Sequence, residues 1–360
     1  MSLFDRSSAF LLANMRSLFA SPYSRFLIYS DFAGWALDED AKAMFRIASS
    51  IGLPTTLAYR PLPALRQCVH YTSSFSLLNE KVFQTRHRLS VDYYHGKPDQ
   101  EAVFARVFEN IRKHANRLHR LRISYSGMLP VALEAGVGAE KIFRIPIGFD
   151  PALFPPRTEQ ARLEARRRLG LPESAVIVGS FQKDGDGWGE GDQPKWVKGP
   201  DVLVRTLSLL RKKFPELMVL LSGPSRGYVK KALQAEGIPF RHHFLKDYRQ
   251  IGELYRAIDL YIVSSREEGG PKAVLESMAS GVPLVTTRVG QAIDLVRTRE
   301  NAVMVPVDDA EALAFAAESV LQDSTLRERV IREGLATAAG ETYEAQIPRW
   351  REYFKGFVES

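Results

Sequence analysis

The chain has 360 residues, 45% hydrophobic and 25% charged, a globular composition that excludes long disorder and at this length predicts two domains rather than one core. Its single cysteine, Cys68, excludes an intrachain disulfide and fits a reducing cytosol; no apolar run approaches the roughly 18 residues that span a bilayer, and the first residues lack a signal peptide's basic start and long apolar centre. The net charge of +7 sits in the first part, where residues 1–150 hold 19 Lys and Arg against 13 Asp and Glu, compared with 30 against 29 in the rest.

In chain order, Leu3, Phe4, Leu11, Leu12, Met15, Leu18 and Phe19 recur at helical spacing, with Arg6 and Arg16 among the polar positions. This predicts an amphipathic helix, lying on a membrane or packed on the fold. Residues 25–30 read as a strand, 31–35 as a loop holding Gly34, and 38–50 as a helix, a first βα unit. Apolar runs at 55–58, 67–71 and 89–94 continue the alternation, the third ending in His95-Gly96. From Phe104 to Arg122 the spacing predicts one helix bearing Arg106, Arg112, Lys113, Arg117, Arg120 and Arg122 against Glu109, either a solvated face or a patch for anionic lipid. A strand at 123–126, a short helix ending at Gly136 and a strand at 141–147 follow, and the Pro- and Arg-rich stretch 151–172 reads as a linker.

A second series opens with a strand at 175–180 and a loop to Val197 that holds an acidic, Gly-rich insertion at 184–192. A calcium-loop reading fails there, because Trp188 takes a ligand position and Lys195 stands where a closing carboxylate belongs. Helices are predicted at 201–214, 248–256, 311–321 and 326–335, strands at 218–222 and 240–245, and an aromatic-rich terminal helix at 343–357.

Between these lies the stretch around which the chain is organised. Leu260 to Val263 is a short apolar run, the pattern of a buried parallel strand, and Ser264 to Lys272 is a loop in which Gly269 and Gly270 allow close backbone approach. Pro271 and Ala273 open a helix that ends near Gly281, and Pro283 starts the next strand. Such a unit turns backbone N–H groups toward the carboxyl edge of a sheet, a place for a phosphate or diphosphate. Glu268 and Glu276 flank it, each able to accept two hydroxyl bonds from a vicinal diol.

Glu268-x7-Glu276, followed by Ser-Met-Ala-Ser-Gly-Val-Pro283, resembles the signature of family-four (group 1) retaining glycosyltransferases of the GT-B fold. The resemblance implies an α/β chain of two Rossmann-like domains facing across a cleft. Residues 1–150 would be the acceptor domain, 151–172 the linker, 173–340 the nucleotide-sugar domain and 341–360 a helix crossing back onto the first domain. It assigns Glu268 to the donor sugar and Glu276 to the ribose, with Gly269, Gly270, Lys272 and Ala273 in the donor loop. It gives Lys198, in the pair Lys198-Gly199, and Lys183 to the diphosphate, Gly34 to the donor phosphates, and His95 to the cleft near the sugar. Where family members often carry two glycines in the first loop, this chain shows only Gly34, beside bulky Trp35; the family's Arg before the Lys-Gly pair is absent, and Ile147 stands in place of an Asn before Gly148-Phe-Asp150.

The resemblance implies sugar transfer from a nucleotide-diphosphate donor to a glycan or lipid-linked acceptor, with retention and with neither metal nor other cofactor, in polysaccharide or glycolipid synthesis. The insertion at 184–197 reads as a mobile cleft loop touching the acceptor. The basic first half fits an anionic glycan, a lipid diphosphate or the inner face of the cell membrane, whereas zinc-finger spacing, RNP-like aromatics and a recognition helix are missing, which argues against nucleic acid. The rivals are a nucleotide-sugar epimerase, which needs no acceptor, and a binding protein without turnover.

Overall fold

A computed structural model describes residues 3–30, 36–187 and 189–359. The chain divides into two compact units, Met1–Pro146 with Tyr343–Ser360, and Ile147–Thr342.

The first unit runs α1 (Leu3–Leu18), β1 (Phe26–Tyr29), α2 (Ala36–Ser50), β2 (Thr55–Ala58), β3 (Cys68–Tyr71), β4 (Arg88–Asp92), α3 (Ala102–His114), β5 (Leu118–Ile123), α4 (Leu129–Glu134) and β6 (Ile142–Arg144). Its strands make one parallel sheet in the order β2-β1-β3-β4-β5-β6. Parallel strands need crossovers that cover the sheet, so strand residues are buried on both faces. Phe26, Leu27, Ile28, Val69, Leu89 and Val91 accordingly have no exposed surface.

The second unit runs α5 (Glu159–Leu169), β7 (Ile177–Phe181), α6 (Pro200–Arg211), β8 (Met218–Ser222), α7 (Gly227–Ala235), β9 (Phe240–His243), α8 (Ile251–Ala257), β10 (Leu260–Val263), α9 (Ala273–Ala279), β11 (Leu284–Thr287), α10 (Ala292–Leu295), β12 (Val303–Val305), α11 (Ala310–Gln322) and α12 (Ser324–Ala339). The parallel order is β12-β11-β10-β7-β8-β9. From β7 the chain winds outward through β8 and β9, then returns to lay β10 on the other side of β7. The order therefore reverses between β7 and β10, and open α/β sheets bind ligands beyond the carboxyl ends of the strands at such a point.

Two expectations are corrected. The stretch 151–172 is not a linker, because it contains α5, capped by the Thr158 hydroxyl on Ala161 N–H and packed on α8. The arginines that suggested a solvated connection include Arg166, which is wholly buried and donates to the carbonyls of Ala257, Glu173 and Ala175 and to Asp259 Oδ2 at 2.6 Å. Nor is 104–122 one helix. Its apolar face of Phe104, Val107, Phe108 and Ile111 belongs to α3, but Leu118 to Ile123 form β5 between β4 and β6. The basic face is thereby dispersed: Arg112 pairs with Glu109, Lys113 with Glu80, and Arg122 is buried.

Arg122 is the hub of a polar network in the first unit. Its Nε and Nη2 donate to the carbonyls of Ile145 and Pro146, each at 3.0 Å, and its Nη1 lies 3.4 Å from Asp92 Oδ2. Against the burial that would raise it, Arg122 and His70 hold the Asp92 carboxyl below its usual range. The final helix, α13 (Ile347–Phe354), joins this network: Trp350 lies under the Arg122 guanidinium at 4.7 Å, and the Tyr353 hydroxyl reaches His70 Nδ1 at 3.3 Å. Ser90, His70 and Asp92 follow the bonding order of a hydrolase triad, yet all three are buried from substrate, so the arrangement anchors the C-terminal segment.

Candidate functional site

The β7 and β10 loops meet at the reversal in strand order. β10 delivers Ser264 to Glu268, and β7 delivers Lys183, followed by the turn Trp196–Lys198 that leads into α6. The two loops are tied together: Arg266 N–H and Glu267 N–H both donate to Val197 O, and the Arg266 guanidinium bonds Trp196 O at 3.0 Å and both Asp201 carboxylate oxygens at 2.9 and 2.6 Å. The bond from Arg266 holds the Asp201 carboxyl below its usual range.

This frame places Lys198 Nζ in direct contact with Glu268 Oε1, which also accepts from Ser265 Oγ at 3.0 Å. Gly199 explains the Lys-Gly pair. Its backbone is left-handed (φ 55°), and a Cβ there would lie 2.1 Å from Ser264 O. Gly199→Ala should therefore cost at least the ~1–3 kcal/mol of a strained left-handed residue; thermal denaturation checks this, and an unchanged Tm contradicts it.

Glu276 lies in α9, is buried, and has both oxygens engaged. Tyr248 OH donates to Oε1, and Tyr255 OH to Oε2 at 2.8 Å. Burial first, and then the carboxylate itself, push the Tyr255 phenol far above its usual range, so it remains a donor. Lys272, just before α9, stands 5.6 Å from the Tyr248 ring, and α9 begins at Ala273. Gly269 and Gly270 are backed by Gly290 and Gln291: Cβ atoms at Gly290 and Gly270 would meet Gly269 O at 2.7 Å and Gln291 Oε1 at 3.1 Å.

The insertion corrects the expectation of a mobile loop. Asp184 and Arg226 form a fully buried pair at its base, with Nε 2.9 Å from Oδ1. Asp186 N–H donates to Gln193 O and Lys195 N–H to Asp184 O, closing a hairpin that α7 clasps through Gly227 N–H on Glu190 O and Tyr228 N–H on Gly191 O. Ser225 Oγ donates to Gly187 O and Gly189 O. The glycines serve close approach: a Cβ on Gly185 or Gly191 would fall 2.4 Å from Ser225 O. Glu190 and Asp192 pair with Lys230 and Lys231, so these acids meet lysines.

Lys195, which the sequence offered only as an objection to calcium, returns on this hairpin beside the site. Burial, then Lys198 and Lys183, lower its pKa, while Glu268 opposes them, so the lysines and the carboxylate share one electrostatic neighbourhood. Among the expected residues, the second unit gathers Glu268, Lys198, Lys183, Glu276, Gly269, Gly270, Lys272 and Ala273 on the loops of β7 and β10 and on α9. His95 lies in the first unit, between Phe75 and Phe104 at ring distances of 6.0 and 5.5 Å. Gly34 falls outside the described residues.

Residues 193–336 match the family described as "Glycosyl transferases group 1". The chain is 32% identical over 217 residues to the D-inositol 3-phosphate glycosyltransferase of Stackebrandtia nassauensis, covering 57% of this chain and 46% of that protein. It is 28% identical over 198 residues to the lipopolysaccharide core biosynthesis mannosyltransferase LpsB of Rhizobium meliloti, covering 52% and 53%. The chain thus spans about half the length of the relatives it matches. Among solved structures, Anabaena HepE in complex with UDP and glucose has a TM-score of 0.74 at 16% identity, covering 93% of this chain and 100% of that one. Sucrose-phosphate synthase from Thermosynechococcus elongatus has a TM-score of 0.73 at 16% identity, covering 92% and 98%. These likenesses show the fold: two parallel sheets of six strands, as in GT-B proteins. The match to the group 1 glycosyltransferase family thus lies within the second unit, from the insertion to α12.

Proposed function

We propose that the chain is a glycosyltransferase that moves a sugar from a nucleoside-diphosphate donor to a hydroxyl of a glycan or lipid-linked acceptor, with retention at the anomeric carbon. The observation that carries this is the contact of Lys198 with Glu268 at the strand-order reversal, on loops that also bear Lys183 and Lys195, with Glu276 held one helix away. Lysines there would meet the diphosphate charge that grows as the glycosidic bond breaks, with no resident metal needed for it. Glu268 would take sugar hydroxyls, exchanging its bond to Lys198 for them, and Glu276 the ribose diol. With both carboxylates so committed, neither is the nucleophile of a double displacement; the resemblance to retaining group 1 enzymes implies attack from the leaving group's own face, and so retention. HepE in complex with UDP-glucose and the LpsB mannosyltransferase are consistent with such a donor and with a role in polysaccharide or glycolipid synthesis.

A panel of nucleoside-diphosphate sugars scored by thermal stabilisation, followed by the anomeric configuration of the product, tests this reading. An inverted product refutes retention. Donor isomerised without acceptor makes the chain an epimerase, and binding with neither transfer nor donor hydrolysis makes it a silent binding protein. Lys198→Ala should lower kcat more than it raises KM, because the lysine acts most strongly on charge present in the transition state. A raised KM at normal kcat contradicts that role.

We also place the working protein at the inner face of the cell membrane, docked through α1 rather than α3. Ala9, Ala13, Asn14 and Ser17 face the fold, whereas Leu11, Leu12, Met15, Leu18 and Phe19 are exposed, Phe19 at 89%. A helix that packs its small side and shows its large apolar side to solvent suits the headgroup–acyl boundary, with exposed Arg16 beside it for anionic lipid. Replacing Leu11, Met15, Leu18 and Phe19 by Ser should abolish co-sedimentation with phosphatidylglycerol vesicles. A wild-type protein that ignores such vesicles at low salt sinks this placement.

A further inference from the structure

The first unit holds a second arrangement suited to an anion, at the other edge of its sheet. Tyr23 precedes β1, Arg66 precedes β3, Arg86 leads into β4, which begins at Arg88, and Arg117 leads into β5. In a parallel sheet these positions share the amino edge, opposite the carboxyl ends where α/β sheets ordinarily bind ligands. Together with His87 they line an open cavity of about 790 Å³.

Two of its arginines are fixed. Arg88 donates to Phe357 O at 3.1 Å and to Glu359 Oε1 at 2.6 Å, with its guanidinium 4.2 Å over the Tyr23 ring. Arg117 donates to Phe83 O at 3.1 Å and Thr85 O at 2.7 Å. A guanidinium carries five N–H donors, so these bonds orient each fork without exhausting it. Arg66 and Arg86, by contrast, are exposed and pair with no carboxylate among the described residues. Four arginines thus face one carboxylate, that of Glu359.

Tyr23 holds a left-handed backbone (φ 60°), pinned by its N–H on Arg66 O at 2.5 Å, and strain of this kind in a non-glycine residue persists only where the surroundings impose it. His87 is 2% exposed, and its Nδ1 accepts from Gln67 N–H at 3.3 Å. Burial lowers its pKa to about 4, opposed by backbone bonds to Gln67 and Leu62, so the ring is neutral near pH 7 and adds no charge of its own to the arginines.

We propose that this cavity binds a phosphate monoester or diphosphate group, held by the forks of Arg66, Arg86, Arg88 and Arg117. Arginine suits such a group because its planar donors meet two phosphate oxygens at once. The phosphate could belong to a solute or to a lipid headgroup, since the exposed face of α1 ends at Phe19, four residues before Tyr23.

Calorimetric titration with inorganic pyrophosphate at fixed ionic strength tests the site. The Lys198→Ala variant removes a lysine of the second unit, and Arg66→Ala/Arg86→Ala removes the two arginines without a carboxylate partner. A control, Lys97→Ala/Arg106→Ala, removes equal charge from the same unit. The expected result is a binding event that survives Lys198→Ala, survives the control, and weakens at least tenfold in Arg66→Ala/Arg86→Ala at unchanged Tm. A second arm uses phosphatidylcholine vesicles bearing phosphatidic acid, with the α1 serine variant as background. Vesicle binding lost with the two arginines identifies a lipid source, and a pyrophosphate event without it a soluble one. Equal affinity in the arginine variant, equal loss in the control, or no binding in either arm overturns the proposal, while leaving the reading of the second unit untouched.

Discussion

Asp184→Ala should destabilise the second unit by about 3–5 kcal/mol, the cost of leaving a buried charge without its partner. At ~2–4 °C per kcal/mol for a unit of this size, the expected fall in Tm is roughly 6–20 °C. The Arg226 side chain is fully buried and donates to Ser180 O, Gln182 O and Ser222 O besides its ion pair with Asp184, so it cannot move to water when the carboxylate goes. Burial raises the pKa of Asp184, with Arg226 opposing it, and burial lowers that of Arg226, with Asp184 opposing it. Both directions disfavour the ionised pair, so its contribution is geometric: it fixes the base of the 184–195 hairpin. Asp184→Leu combined with Arg226→Met should therefore cost less than either single change. Both singles should open the hairpin to proteolysis and weaken donor binding, because Lys183 and Lys195 lie at its ends. A single variant with wild-type Tm, or a double variant as damaged as the sum of its singles, contradicts this account.

The strands were legible because parallel strands covered on both faces read as short apolar runs, as at Phe26 to Tyr29 and Leu260 to Val263. What failed turned on long-range partners. Arg120 and Arg122 looked like a helical surface, since Leu118 and Leu121 continue the spacing of α3 by three residues. The carbonyls of Ile145 and Pro146, the Tyr94 hydroxyl and the carboxylate of Asp92 make Arg122 tolerable in the interior. Arg166 misled in the same way, turning a buried anchor into an apparent linker. In the insertion, glycines at alternate positions read as freedom, whereas Gly185 and Gly191 are there because Ser225 O approaches their backbone. Glu268, Glu276 and Lys198 were visible from local pattern alone. Lys195 was not, because its relevance depends on a hairpin closed by backbone bonds. Nor were Tyr248 and Tyr255, although their seven-residue spacing, two helical turns, was a signal that both could face one partner.

Those tyrosines sharpen what removal of Glu276 should do. With Tyr248 donating to Oε1 and Tyr255 to Oε2, the carboxylate is held in one orientation, and each oxygen keeps a second lone pair for a ribose hydroxyl. Glu276→Ala would mix two losses: the ribose acceptor, and ~1–3 kcal/mol of stability from a buried Tyr255 hydroxyl left without an acceptor. Glu276→Gln separates them. It keeps the shape but replaces one acceptor oxygen with an amide donor and removes the charge, so folding should change little. Affinity for a free nucleoside diphosphate should fall by about 1.5–3 kcal/mol per charge-assisted bond lost, at least tenfold in Kd. Tyr255→Phe keeps both oxygens and loses only their orientation, so its affinity should fall between wild type and Glu276→Gln. The same diphosphate lacking its nucleoside should bind Glu276→Gln and wild type equally, because only the ribose is read at this position. Calorimetry with both ligands decides the matter: equal nucleotide affinity in Glu276→Gln and wild type rejects the ribose role, and equal weakening of both ligands shows that the substitution has disturbed the lysine cluster instead.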